Sequence, residues 1–225
     1  MKNIIDRLAE GNRLYLAAIH PVGDISKKIR LKTAQEGQFP YAVIVTCSDS
    51  RVIPEDIFSA GIGDLFVIRV AGNVIDKHQL GSIEYAAAHL GCKMVLILGH
   101  TGCGAVAAAL AEQETKEIKS CHKTKHKDEN ESGKESDSYI HFLTDEIKKA
   151  AGSETDPDKV TCLNALNSMH IVRKALGSKK TAAQYVEETH ALTAAPAEDS
   201  RELKDVTVVA GIYHIDDGRV EFLED

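Results

Sequence analysis

The order of apolar and polar residues along the chain predicts buried strands separated by helices. Continuous apolar runs rich in β-branched residues are typical of strands that are covered on both faces. Such runs occupy residues 41–46, 65–70, 94–98 and 206–213. An Asp-Asp-Gly turn at 216–218 then leads to a short final strand at 220–223. We therefore expect a central sheet of about four parallel strands with a C-terminal edge strand.

Helical patterns between these runs predict how the strands are connected. Residues 80–91 are an alanine-rich helical pattern that ends at Gly91, a residue suited to a helix C-cap. A helix between two strands implies a βαβ unit, a parallel sheet and a right-handed crossover. Pro54, followed by two acidic residues, predicts a helix start, and segments 140–151 and 160–176 also show helical periodicity. The predicted fold class is α/β, with helices flanking a mostly parallel sheet.

Two parts of the chain lie outside this alternation. Residues 1–35 have apolar positions at helical spacing with no strand before them, so we expect a helical arm that packs on a partner subunit. Residues 112–138 are almost wholly charged or polar and cannot bury a core. They are expected to form a mobile surface insertion or a loosely held helix extension. The whole chain, 1–225, fits a single domain.

Composition narrows the class of protein. The net charge is −7 with no basic block, which argues against nucleic acid as a partner. The first residues contain no apolar run long enough for an export signal or a membrane span. An odd number of widely spaced cysteines without an export signal is typical of reduced thiols in the cytoplasm, which is the predicted location. The five cysteines are Cys47, Cys92, Cys103, Cys121 and Cys162.

The candidate chemistry lies in two short motifs. One is CSDSR, which contains Cys47, Asp49 and Arg51, and the other is HTGCG, which contains His100 and Cys103. Two thiols and an imidazole are a ligand set that suits tetrahedral Zn²⁺. A lone cysteine is more often a small buried apolar residue, and a lone histidine is equally weak evidence. These ligands, however, follow the ends of predicted parallel strands, where sites form in open sheets. The motifs therefore favour one shared zinc ion.

Asp49 has two possible roles beside such a metal. Its carboxylate can be a conditional fourth zinc ligand, or it can accept a hydrogen bond from a zinc-bound hydroxide and orient it. Arg51 decides between them, because a bidentate arginine–carboxylate pair holds Asp49 away from the metal. Without a metal, the same two residues would be an ordinary surface ion pair. Cys103 precedes a predicted helix, whose dipole favours a thiolate.

Four segments together resemble the beta class of carbonic anhydrases. They are CSDSRVIPEDIF, DLFVIR, IEYAAAHL and GHTGCGAV, and the similarity extends from Gln38 to Leu110. The resemblance implies reversible hydration of CO₂ to bicarbonate by a zinc-bound hydroxide. It also implies that Cys47, His100 and Cys103 are the zinc ligands, with Asp49 and Arg51 as the catalytic pair.

The resemblance further implies a substrate pocket that two subunits share. In this family a glutamine hydrogen-bonds the substrate and aromatic residues line a narrow cleft at a dimer interface. The matching residues here are Gln38, Phe66 and Tyr85, and Gly102 is expected to contact the substrate as well. N-terminal helices in this family wrap around a neighbour, so a homodimer or homotetramer is implied.

The chain also departs from the family. The family commonly has Arg-Asn-Val-Ala-Asn after the second strand, whereas this chain has Arg-Val-Ala-Gly-Asn at 69–73. This difference could alter the width of the pocket. A second, regulatory bicarbonate site that uses tryptophan in some members is absent in its usual form, because the chain has no tryptophan.

Three alternatives stay open at the level of sequence. Enzymes on the same scaffold hydrolyse carbonyl sulfide or carbon disulfide, and the zinc ligands cannot distinguish these substrates from CO₂. A non-catalytic zinc or redox-sensing protein would instead have four permanent protein ligands. Cys121, His122 and His126 are candidates for a second metal site. Their polar surroundings favour the alternative, a solvated loop without a metal.

Overall fold

The computed structural model describes residues 3–17, 23–121, 138–178 and 203–224, with the backbone alone at 116–121. The helices are α1 (Ile4–Ala17), α2 (Lys27–Glu36), α3 (Pro54–Ile57), α4 (Lys77–His89), α5 (Gly104–Cys121), α6 (His141–Ala151) and α7 (Pro157–Leu176). The strands are β1 (Ala42–Thr46), β2 (Leu65–Arg69), β3 (Met94–His100), β4 (Thr207–Tyr213) and β5 (Val220–Phe222). Short 3₁₀ turns occupy Ala71–Asn73 and Leu203–Asp205. Across the parts of the chain described here, no helix has the length and apolar character needed to cross a membrane.

The strands form one five-stranded sheet in the order β2-β1-β3-β4-β5. The first four strands are parallel and β5 is antiparallel to β4, which confirms the predicted α/β class. From β1 the chain passes to β2 on one side and then returns to β3 on the other. This reversal places a crevice at the carboxyl ends of β1 and β3, where ligands bind in open α/β sheets.

Burial on both faces explains the continuous apolar runs. All residues of β1, β3 and β4 are buried, and alternate side chains point to opposite faces. On one face, Val43 belongs to an apolar cluster with Ile83 of α4 and Met169 of α7. On the other face, Ile44 belongs to a cluster with Leu8 of α1. Both faces of the sheet are therefore covered by helices of the same chain.

The two N-terminal helices behave differently from each other. Helix α1 packs on its own sheet, with Leu8 fully buried and the Asn12 side chain donating to the carbonyls of Ile57 and Gly218 at 3.2 and 2.9 Å. None of the described residues of α2 is buried, and Leu31 is 53% exposed. The expected helical arm before the first strand thus consists of two helices. Packing on a partner subunit stays a prediction, and α1 in addition forms part of the core of its own chain.

Two element boundaries differ from the sequence prediction for clear reasons. Strand β3 continues to His100, because Gly99 and His100 still pair in register with β4. His100 is therefore the last residue of the strand, whereas the prediction placed it just past the strand's end. Helix α4 begins at Lys77, earlier than predicted, because Asp76 caps it by accepting from the His78 amide at 2.8 Å.

The polar segment after residue 111 starts as a continuation of α5, which runs to Cys121. Glu112 ties this part of α5 to α6 by accepting from Lys148 at 2.7 Å and from Thr144 at 3.0 Å. Residues 122–137 of the predicted insertion lie outside the described residues, as do His122, His126 and the side chain of Cys121 that a second metal group would need.

Candidate metal centre

The fold brings together the three predicted ligands at the crevice between β1 and β3. Cys47 directly follows β1, His100 ends β3, and Cys103 directly precedes α5. All three residues are buried, and their ligand atoms lie within 4.8 Å of one another. Residues that are far apart in sequence thus meet because adjacent parallel strands end at the same edge of the sheet.

The distance between the two sulfurs fits a tetrahedral metal. Cys47 Sγ and Cys103 Sγ are 4.0 Å apart, and both cysteines are free thiols. Two thiolates at about 2.3 Å from zinc, at a tetrahedral angle, would lie ~3.8 Å apart. The pair is therefore close to the separation that zinc requires.

His100 presents a nitrogen that is ready for a metal. Its Nδ1 lies 3.0 Å from the carbonyl oxygen of Thr101, which can only accept, so Nδ1 carries the proton. This leaves a lone pair on Nε2, which is buried and has no hydrogen-bond partner among the described residues. An unpaired buried nitrogen is costly unless a ligand satisfies it. The ring orientation is thus the one that a metal-binding histidine needs.

The two thiols are coupled through their contact. Their sulfurs lie within hydrogen-bonding distance, and this contact lowers the pKa of Cys47 and raises the pKa of Cys103. The amide of Gly72, which donates to Cys47 Sγ at 3.2 Å, further stabilises the Cys47 thiolate. Because a second thiolate needs a compensating cation, metal binding at this site would release a proton.

Asp49 is held by Arg51 in the structure. Arg51 Nε donates to Asp49 Oδ1 at 2.9 Å and Nη2 donates to Oδ2 at 2.7 Å, which is the bidentate geometry. This contact holds the pKa of the Asp49 carboxyl well below its usual range. Asp49 Oδ2 lies 3.9 Å from His100 Nε2, so the carboxylate borders the metal group. Arg51 Nη2 also donates to the Gly102 carbonyl at 3.1 Å, which places Gly102 beside the same pair.

Arg69 is a residue of the site that the motifs did not identify. It ends β2 beside the end of β1, and its guanidinium donates to the carbonyls of Asp49 at 2.7 Å and Cys47 at 3.3 Å. Its position at a strand end next to β1 was the sequence feature that could have identified it. Arg69 fixes the loop that carries the ligand and the acid.

Gly72 accounts for one part of this chain's departure from the family pattern, the glycine itself. Its amide donates to Cys47 Sγ at 3.2 Å from a left-handed conformation with φ of +70°. A Cβ there would lie 2.8 Å from Ile147 Cδ1 and 3.0 Å from Ala105 Cβ. Glycine therefore lets the turn adopt its left-handed conformation and pack against α5 and α6, a role that the sequence pattern did not indicate.

The predicted pocket residues do not lie at the metal group of the same chain. Phe66 pairs with Val43, four residues before Cys47, which corresponds to ~13 Å along the strand. The rings of Phe66 and Tyr85 have centroids 6.2 Å apart, and Tyr85 and Gln38 line a cavity of about 520 Å³. The structure thus brings these three residues toward one another, but at a distance from Cys47, His100 and Cys103.

Comparison with known proteins agrees with this geometry. A family model described as carbonic anhydrase matches residues 42–220. Carbonic anhydrase 2 of Mycobacterium tuberculosis is 49% identical over 106 residues, which cover 46% of this chain and 50% of that protein. A carbonic anhydrase of Mycolicibacterium smegmatis is 44% identical over 115 residues, which cover 50% of this chain and 54% of that protein. The matched part thus spans about half the length of these curated relatives.

Solved structures show the same fold at low sequence identity. The beta-carbonic anhydrase CafA of Aspergillus fumigatus has a TM-score of 0.55 at 23% identity, covering 88% of this chain and 86% of that one. One of two tetrameric beta-carbonic anhydrases of Sordaria macrospora has a TM-score of 0.54 at 22% identity, covering 88% and 92%. The sheet order, the cysteine–histidine group and these matches define one class of protein. The chain belongs to the carbonic anhydrase family, and its fold is that of the beta-class structures.

Proposed function

We propose that this protein is a zinc enzyme that catalyses the reversible hydration of CO₂ to bicarbonate and a proton. Membership of the carbonic anhydrase family supports the reaction class. The observation that carries the proposal is the pairing of Asp49 with Arg51 beside Cys47, His100 and Cys103. An Asp49–Arg51 pair with only a structural role would not need to lie beside three buried metal-type ligands. Hydration of CO₂ does need a carboxylate beside the metal.

Cys47, His100 and Cys103 would hold the zinc ion. When bound, zinc supplies a Lewis acid that makes water nucleophilic near neutral pH. The carboxylate of Asp49, kept ionised by Arg51, accepts a hydrogen bond from the attacking water and orients it towards CO₂. Arg51 would hold Asp49 away from a bound metal, so that the carboxylate would be free to orient water. The Gly102 carbonyl, which accepts from Arg51, helps to hold the arginine in place.

A partner subunit supplies the rest of the pocket in this proposal. Gln38, Phe66 and Tyr85 lie away from the metal group in one chain, yet Tyr85 is 47% exposed and neighbouring Phe39 is 73% exposed. A second copy that covers these residues would bring the glutamine amide and aromatic rings to its neighbour's metal site. The Sordaria macrospora enzymes are described as tetrameric, which supports a homodimer or homotetramer here.

Mixed oligomers test the shared pocket directly. A Cys47→Ala chain lacks a metal site but keeps its pocket residues, and a Gln38→Leu chain keeps its metal site. If the pocket is shared, each variant alone is weak or inactive, and mixing them restores activity at the sites that combine both intact parts. Mixed oligomers that form without recovery of activity would contradict the shared pocket.

Stopped-flow hydration of CO₂ tests the activity itself. We expect the zinc-loaded protein to hydrate CO₂, a chelator to abolish the rate, and zinc to restore it. Asp49→Asn is expected to keep zinc and lose about 10²- to 10⁴-fold in rate, because the amide of asparagine is a poor acceptor. A zinc-loaded protein with no hydration activity above buffer would refute the proposal.

The alternative substrates have no independent support in the structure. The departure at 69–73 was the reason to consider carbonyl sulfide and carbon disulfide. Gly72 lies against Cys47, Ile147 and Ala105, which accounts for the glycine of this departure, whereas nothing in the structure explains Val70 in place of the family's asparagine. Turnover of carbon disulfide in place of CO₂ in a parallel assay would revive that function. The non-catalytic alternative requires a fourth permanent ligand, whereas the described residues group three and Arg51 holds Asp49. A cytoplasmic location stays a prediction.

A further inference from the structure

Helix α7 holds the turn that contacts Cys47. Asn164 Nδ2 donates to the Gly72 carbonyl at 2.7 Å, and Ser168 Oγ donates to the Asn73 carbonyl at 3.1 Å. Asn164 and Ser168 are four residues apart on one face of α7, and they are 2% and 1% exposed. Two buried polar side chains are thus directed at two successive carbonyls of a single short turn.

The turn needs an external anchor because of its glycine. Gly72 has φ of +70°, and a residue without Cβ has no side chain to restrict its torsion angles. The Gly72 amide donates to Cys47 Sγ at 3.2 Å. Its direction therefore depends on what holds the following peptide group, which contains the Gly72 carbonyl. Asn164 holds that peptide through the Gly72 carbonyl. Ser168 holds the next peptide, one residue further from the sulfur.

We propose that Asn164 is a positioning residue for the metal centre. By anchoring the Gly72 carbonyl, it directs the Gly72 amide at the Cys47 sulfur, and so fixes the position and the electron-donor strength of that ligand. This inference rests on the proposed zinc centre. Groups that orient a metal ligand commonly change metal affinity by about 10- to 100-fold when they are removed.

The test compares Asn164→Ala with Ser168→Ala as its matched control. Both substitutions remove one buried donor from α7 to the same turn, but only the first releases the residue whose amide contacts the sulfur. Zinc affinity is measured by competition with a chromophoric chelator, and thermal unfolding is measured on the metal-free proteins. Cobalt(II) replaces zinc for a third measurement, the near-ultraviolet charge-transfer band from thiolate to cobalt.

We expect Asn164→Ala to weaken zinc binding by about 10- to 100-fold and to move the cobalt band to longer wavelength. The band moves because a thiolate that loses a hydrogen bond donates its electrons at lower energy. Ser168→Ala is expected to lower metal-free thermal stability to a similar extent, with less than a threefold change in zinc affinity and an unchanged band. Asn164→Leu, which fills the same space without a donor, should behave as Asn164→Ala and serves if the alanine variant folds poorly.

Two results would overturn the inference. One is equal loss of zinc affinity in the Asn164 and Ser168 variants, which would indicate a purely structural effect of α7. The other is a cobalt band that does not move in either Asn164 variant. Both results require that the wild-type protein binds zinc in the same assay. A wild-type protein that fails to bind zinc would refute the proposed function first and is therefore distinguishable.

Discussion

Replacing Gly72 with alanine should damage both the fold and the metal centre. The new Cβ would lie 2.8 Å from Ile147 Cδ1 and 3.0 Å from Ala105 Cβ. Ile147 is fully buried in α6 and Ala105 lies near the start of α5. The substitution therefore requires the buried Ile147 side chain, the helices or the turn to shift.

The magnitude follows from two separate costs. A left-handed conformation costs a non-glycine residue about 1–2 kcal/mol. Overpacking in a filled core costs about 1–3 kcal/mol. We therefore expect Gly72→Ala to lower the free energy of unfolding by about 2–5 kcal/mol, out of a typical total of about 5–15 kcal/mol. At about 2–4 °C per kcal/mol for a chain of this length, the melting temperature should fall clearly.

Thermal unfolding of the metal-free protein separates this effect from metal binding. Gly81→Ala is the control, since Gly81 is an exposed residue of α4 and a Cβ there meets nothing within 4 Å. Alanine at Gly81 should be neutral or stabilising by up to about 1 kcal/mol. Zinc affinity should fall for Gly72→Ala only, because the turn can no longer keep its amide on Cys47. A Gly72→Ala protein with wild-type stability and zinc affinity would refute the reasoning.

Three further predictions concern the acid pair and the response to pH. Arg51→Ala should keep zinc while losing CO₂ hydration, because Asp49 is then free to occupy the fourth zinc position. Zinc content is measured beside the hydration rate, and loss of metal together with activity would contradict this prediction. Hydration activity should rise with pH through about 7–9. Two thiolates leave zinc less positive than three histidines would, so water on the zinc ionises at a higher pH. A stopped-flow hydration rate that stays flat from about pH 6 to 9 would contradict this. Burial raises the pKa of Tyr41 from 10.0 to about 12. Between pH 10 and pH 12 the Tyr41 side chain is therefore deprotonated in the unfolded chain but still protonated in the folded chain. Stability should therefore be complete below about pH 10 and fall by up to about 2–3 kcal/mol towards pH 12. Urea unfolding of wild type and Tyr41→Phe checks this, and an equal slope with pH in both proteins would show that Tyr41 is not responsible.

The sequence predicted the sheet well because its central strands are buried on both faces. Val43 and Ile44 face opposite apolar clusters, so β1 is apolar at every position and is easy to identify. The end of β3 was missed because Gly99 and His100 have no strong preference for strands. Their inclusion depends on pairing with Ile212 and Tyr213, which lie more than a hundred residues later.

The metal group was predictable, whereas its support was not. Cys47, His100 and Cys103 are chemically distinctive residue types, and strand ends are visible in the apolar pattern. The contacts of Gly72 with Cys47 and of Asn164 with Gly72 depend on the exact direction of one peptide and one helix face. Spacing in sequence carries no information about such directions. Similarly, the apolar side of α1 indicated a helix, but not that Leu8 would lie on the sheet of its own chain.

The two hydrogen bonds from Arg69 have a consequence for the protein without metal. They tie the carbonyls of Cys47 and Asp49 to the end of β2, so the loop after β1 has its shape before any ion arrives. Little chain entropy is then lost when a metal binds, in contrast to small zinc domains that fold only with their ion. Removal and return of the metal should therefore be a reversible exchange within a folded protein.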